Sequence, residues 1–142
     1  MAARYVVDAS VLGHYLDLDT YTAEVTHLLA GLVRGDHLYI PEFCLLECTN
    51  ILWKHVRFNG LPHADAAATL ADLLKLPFQI IAVQPFLSQA LQIGLNHQLA
   101  VYDALYVALA LELDCPLITV DDRQATAATA SGATLKAITD FS

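Results

Sequence analysis

An α/β fold, a central parallel sheet flanked by helices on both sides, is predicted by three features of this chain. Short apolar segments alternate with helical patterns from end to end; the segments are apolar on both faces, as strands buried between two helical layers must be; and no repeat, low-complexity tract or linker breaks the alternation. The 142 residues suit one domain with a sizeable core, so residues 1–142 are expected to form a single domain.

Each element follows from its own signals. Residues 5–8, YVVD, read as a buried strand, with a helix starting at Ala9 or Ser10. A helical stretch over residues 20–33 has Leu28, Leu29, Leu32 and Val33 on its apolar side, and Gly35-Asp36 turns the chain into a second strand at residues 37–40. Pro41 is suited to opening the next helix, where a missing N–H costs nothing. That helix covers residues 42–58, until Asn59-Gly60 stops it, and another spans His63–Leu74 ahead of Pro77. A third strand is expected at residues 79–83, helices at 85–96 and 102–113, and a fourth strand at 116–120. A helix over residues 123–130 ends at Ser131-Gly132, and a terminal strand is expected at 134–138.

Composition narrows the function classes. The apolar share is 56% counting Tyr, above the roughly 45–50% of ordinary globular chains; that benchmark counts Gly instead of Tyr, and both number 6 here. A membrane does not take the excess, because the most apolar stretch, residues 101–120, is interrupted by Asp103, Glu112, Asp114 and Pro116. The start, MAARYVVDAS, has no apolar run of signal-peptide length, so a cytoplasmic location is expected. The surplus goes to a large core and an apolar surface for a partner subunit. A net charge of −8 removes any whole-protein attraction to nucleic acid, so such affinity would need metal ions or local basic residues. Cys44, Cys48 and Cys115 have neither disulfide nor zinc spacing and read as reduced core thiols.

Acidic residues carry the chemistry. In open parallel sheets the functional crevice lies beyond the carboxyl ends of the strands. Asp8 ends YVVD, and Asp121 with Asp122 ends PLITVDD; each could equally cap the helix that follows. Glu47 lies within CLLECTNILW with no helix terminus expected near it, and Glu47, Asn50 and Lys54 form a polar stripe that faces either solvent or a site. Asp103 opens YDALYVALALEL, a helix apolar nearly all round and therefore buried, with capping as its alternative role. Four converging carboxylates would repel one another, and a hard divalent cation, Mg²⁺ or Mn²⁺, removes that conflict while activating water at a phosphoryl centre. No GxSxG, P-loop, GxGxxG or HExxH offers a rival centre.

The segments VVDASVL at 6–12, PEFCLLECTNIL at 41–52, VYDALYVALA at 101–110 and LITVDDR at 117–123 resemble the successive motifs of PIN domains, especially toxin nucleases of the VapC type. The resemblance spans nearly the whole chain, and its strength is that all four motifs occur in order. It implies that Asp8, Glu47, Asp103 and Asp121 surround one or two Mg²⁺ or Mn²⁺ ions, with Ser10, Asn50 and Thr119 orienting ligands, waters or phosphate around them. Many relatives carry a further acid a few residues past the last Asp, whereas here Asp122 follows at once and Gln124-Ala125 come next; the motif alignment favours Asp121 over Asp122 as the metal-facing residue. The implied reaction is hydrolysis of an RNA phosphodiester to a 5′-phosphate and a 3′-hydroxyl, and the implied partners are a second copy of the chain and a cognate antitoxin. Arg4, Lys54, Arg57 and Arg123 are candidate phosphate contacts. Two alternatives remain: a non-catalytic interaction module on the same fold, and an aspartate-dependent phosphatase, which would ordinarily want an acid where Ser10 stands.

Overall fold

The computed structural model describes residues 2–17 and 21–141. Strands β1 (Arg4–Val7), β2 (His37–Pro41), β3 (Gln79–Ile81) and β4 (Leu117–Ile118) form one parallel sheet in the order β3-β2-β1-β4. Between and after them run α1 (Ala9–Asp17), α2 (Thr22–Ala30), α3 (Cys44–Asn59), α4 (His63–Leu74), α5 (Leu87–His97), α6 (Val101–Leu113) and α7 (Asp122–Ala130). The chain steps from β1 to β2 to β3 in one direction and then returns past β2 and β1 to β4 on the far side. Right-handed crossovers put α1 to α4 on one face and α5 with α6 on the other, and α6 packs on β1, β2 and β4.

This order has a functional consequence. Connections leave β1 and β4 for opposite faces of the sheet, so a crevice opens between their carboxyl ends. The rest of the molecule holds these two strands rigid. Val6, Val7, Leu117 and Ile118 are fully buried, and Ala104 to Ala110 of α6 are buried on every side, as the unbroken apolar run predicts. Gly60, at φ 74°, takes the left-handed position that ends α3 at Asn59-Gly60.

Three expectations are corrected. Pro41 closes β2 instead of opening a helix: its Cα pairs with Ile81, residues 42 and 43 turn, and α3 begins at Cys44. Pairing of β2 with β1 stops at Tyr39, so the missing N–H of Pro41 costs no ladder bond. The expected terminal strand is a single parallel bridge between Leu117 and Leu135, made by Leu117 N–H to Thr134 O (2.8 Å) and Lys136 N–H to Leu117 O (3.0 Å). With β4 only two residues long there is nothing further to pair, and the chain closes as a 3₁₀ turn, Ile138–Phe141. A separate 3₁₀ turn, Gln84–Phe86, precedes α5 where one continuous helix was expected. Thr20, the expected start of the second helix, lies outside the described residues. Among the described residues no helix is long and apolar enough to cross a membrane, and Cys44, Cys48 and Cys115 are buried free thiols.

Candidate functional site

Asp8 follows β1 directly, and its N–H bonds to Ile118 O of β4 (3.0 Å), which places it in the crevice. Only 5% of it is exposed. Oδ2 accepts from Ser10 N–H (3.1 Å), an N-terminal cap for α1, while Oδ1 accepts from the side-chain amide of Gln124 (3.3 Å). Asp121 caps α7 through Oδ1 and Gln124 N–H (2.8 Å). Capping and facing the crevice are therefore compatible. Two hydroxyls stitch the strand ends together: Ser10 Oγ lies 3.4 Å from Thr119 Oγ1 and accepts from Val120 N–H (3.3 Å), and Thr119 Oγ1 accepts from Asp121 N–H (3.0 Å).

Glu47 and Asp103 come in from the helical layers. Because α3 starts at Cys44, Glu47 sits in its first turn, near a terminus after all; Asp103 occupies the first turn of α6. In both places the exposed backbone N–H groups favour negative charge. Glu47 is half-buried, and its Oε1 accepts from the Tyr106 hydroxyl (2.9 Å), whose ring stands edge-on to Phe43.

The carboxylates share one electrostatic field. Burial is the main reason that Asp8, Glu47 and Asp103 titrate above their ordinary values, and each is raised further by its neighbours. Asp121 acts on Asp8; Asp8 and Asp103 act on Glu47; Asp8 and Asp121 act on Asp103, with Arg123 opposing. Burial and the nearby Glu47 and Asp8 likewise push the Tyr106 phenol up, so it stays a donor. Among the described residues no three His, Cys, Asp or Glu side chains already stand grouped to hold a metal ion. The donor set nonetheless fits Mg²⁺ or Mn²⁺, since every candidate is a hard oxygen and Mg²⁺ is commonly held by one or two carboxylates with several waters.

Other expected residues fall around this centre. Asn50 is exposed one turn along α3, and Asp122 is exposed at the start of α7, beside Arg123 and His97 in a separate cleft of about 390 Å³. Lys54 lines a cleft of about 370 Å³ that begins at Ser10 and includes His14 and His55. Arg57 stacks on Phe58, and Arg123 donates to Gln98 O (3.0 Å). Arg4 begins β1 and bonds Tyr39, which puts it at the amino end of the strands, opposite the carboxyl end where Asp8 stands. Sequence reasoning passed over Tyr106 and Gln124. The signal for Tyr106 was a hydroxyl one turn after Asp103 in an otherwise apolar helix. For Gln124 it was an amide three residues after Asp121, which reads as ordinary helix capping.

A parallel sheet with acidic residues gathered where its strand order reverses defines the class: an α/β protein with an acidic crevice at the switch point. The family described as PIN domain matches residues 5–130, and the chain belongs to it. Ribonuclease VapC3 of Pyrobaculum aerophilum is 30% identical over 121 residues, covering 83% of this chain and 89% of that one. The crystal structure of PAE2754 from Pyrobaculum aerophilum matches with a TM-score of 0.74 and 26% identity, covering 99% of this chain and 87% of that one. VapBC2 from Rickettsia felis, solved bound to a DNA fragment from their promoter, has a TM-score of 0.66 over 94% of this chain and 98% of that one; at 12% identity it shares the fold alone. The chain is thus a PIN-domain relative of Ribonuclease VapC3.

Proposed function

We propose that this chain is a metal-dependent endoribonuclease, the toxin of a toxin–antitoxin pair, with Asp8, Glu47, Asp103 and Asp121 as its metal-binding and catalytic residues. The observation that carries the reading is the buried Asp8 between the carboxyl ends of β1 and β4, joined through Gln124 to Asp121 and to the first turn of α6 that bears Asp103. A divalent cation, Mg²⁺ or Mn²⁺, would supply polarisation of water and neutralisation of charge on phosphoryl oxygens. The chain's own residues do the rest. Ser10 N–H and Gln124 orient Asp8, Tyr106 orients Glu47, and a carboxylate of the set takes the proton released by the attacking water. Ser10, Thr119 and Asn50 serve as supporting polar groups, with Asp122 outside the centre. Relationship to Ribonuclease VapC3 supports RNA as substrate.

Partners follow from surface chemistry. Lys54 lines the cleft that begins at Ser10, which supports a contact with an RNA phosphate next to the one cut. Leu87, Leu91 and Leu95 on α5, with Val101 and Tyr102 on α6, are exposed, Leu95 to 70%, and form the surface for a second copy of the chain. Likeness of fold to VapBC2 supports an antitoxin partner. A non-catalytic interaction module is the second reading, favoured by the lack of a ready-made trio of ligands among the described residues. Incubating the purified chain with circular RNA in Mn²⁺ or in chelator decides between them. Cation-dependent linearisation with 5′-phosphate ends is expected, and RNA left intact by wild type in Mn²⁺ would reject the nuclease.

A further inference from the structure

We infer that Gln124 is the positioning residue of the carboxylate set: it fixes the orientation of Asp8 against the first turn of α6 while holding Asp121. The inference rests on the reading of the four acids as a cation site. Gln124 is 0% exposed, although it lies in a helix whose other polar residues face solvent or its rim. Its Nε2 donates to Asp8 Oδ1 (3.3 Å) and to Asp103 O (3.0 Å), and its backbone N–H donates to Asp121 Oδ1 (2.8 Å). One residue therefore bonds two of the four carboxylates, Asp8 and Asp121, and the backbone of a third acid, Asp103.

Local sequence alone would send this side chain elsewhere. Asp121-x-x-Gln124 at a helix start is the pattern of a reciprocal capping box, in which the glutamine reaches back to the N–H of the capping residue. That N–H is already bonded to Thr119 Oγ1, so the amide is released and turns inward. Both of its partners are acceptors, which fixes which end of the amide faces them. The cost is visible at the other end, where Oε1 is buried without a hydrogen-bond partner among the described residues. An apolar side chain of the same length would fill this space without leaving an acceptor orphaned. What it could not do is donate to Asp8. With Ser10 N–H on Oδ2 and Gln124 on Oδ1, Asp8 has a donor on each oxygen and one orientation.

The test uses Gln124→Met, which keeps length and apolar bulk, alongside Ile138→Val as a core variant away from the site. Calorimetric titration with Mn²⁺ should give a dissociation constant at least tenfold weaker for Gln124→Met, the usual effect of losing a group that orients a metal ligand. Its melting temperature without cation should stay close to that of wild type. Ile138→Val should lower the melting temperature and leave the dissociation constant unchanged. The opposite pattern, a less stable Gln124→Met with wild-type affinity, overturns the inference in favour of a packing role. A cation-free arm separates this from failure of the site itself. In the wild-type amide spectrum the side-chain NH₂ of Gln124 should exchange slowly with solvent and shift in Asp8→Ala. If it exchanges like an exposed glutamine, the contact is absent and the inference falls. If it behaves as expected but wild type binds no Mn²⁺, the cation reading falls and the positioning of Asp8 stands.

Discussion

The Tyr106 hydroxyl lies 2.9 Å from Oε1 of Glu47 and donates to it across two helices, from α6 to α3. Tyr106→Phe keeps the ring and its edge-on contact with Phe43 while removing that donor. Stability should fall by about 1 kcal/mol, the net worth of one such bond. Glu47 then loses its fixed direction, so Mn²⁺ should bind about tenfold more weakly. Unchanged affinity in a calorimetric titration would show that Glu47 needs no orientation.

Replacing single carboxylates distinguishes charge from hydrogen bonding. Asp103→Asn and Asp8→Asn should both abolish cation-dependent RNA cleavage. Without cation, Asp103→Asn should keep or raise the melting temperature, because it relieves repulsion with Asp8 and Asp121. Asp8→Asn should lose about 1 kcal/mol, since its new NH₂ would face a donor, either Ser10 N–H or the Gln124 amide. Wild-type cleavage rates in either variant would refute the assignment.

Acidity gives a further expectation. Asp8, Glu47 and Asp103 titrate above their ordinary values of 3.8, 4.5 and 3.8 in the folded chain. Over the interval from those values up to the raised ones, the native state holds protons that the unfolded chain has released. Their contribution to stability is therefore greatest in acid and is lost as pH rises. In chelator the melting temperature should fall from about pH 4 towards neutrality, and less steeply in Asp103→Asn. Mn²⁺ at 100 times its dissociation constant should restore about 2.7 kcal/mol at neutral pH, with Glu47→Gln blunting the gain. K⁺ at equal ionic strength is the control; if it matches Mn²⁺, no cation site exists.

Lys54 should add one phosphate contact. In an Asp103→Asn background that prevents cleavage, Lys54→Gln should reduce the slope of log K against log salt for single-stranded RNA by about 0.7. Lys75→Gln, at the far end of α4, should leave the slope alone. Equal effects of the two would make Lys54 an ordinary surface charge.

The α5 surface makes an oligomer expectation. Wild type should be a dimer by light scattering at micromolar concentration, and Leu91→Glu with Leu95→Glu should yield a folded monomer. A monomeric wild type would remove the role given to this stripe.

Much of this was legible in the sequence because the signals were local. Strand and helix alternation, the stop at Asn59-Gly60 and the buried character of residues 104–110 all follow from neighbouring residues. The motif order pointed to Asp8, Glu47, Asp103 and Asp121, but the hydrogen bonds that hold Asp8 and Glu47 join residues far apart in the chain and are not displayed by the sequence. What escaped depended on long-range competition. Pro41 reads as a helix opener until β3 claims it for a strand, and residues 134–138 read as a strand until the shortness of β4 limits them to one bridge. Gln124 looks like a cap because nothing near it in sequence reveals that Thr119 has taken that job and that Asp8, 116 residues away, is waiting for a donor.

That separation also governs timing during synthesis. β1 leaves the ribosome well before the strand and helix that wall its crevice, β4 and α7. A nascent chain ending before Leu117 carries Asp8, Glu47 and Asp103 but neither Asp121 nor the Gln124 amide that bonds Asp8. The hydrogen bonds that tie Asp8 to Gln124 and Gln124 to Asp121 therefore form late, and a chain shortened before Leu117 lacks them.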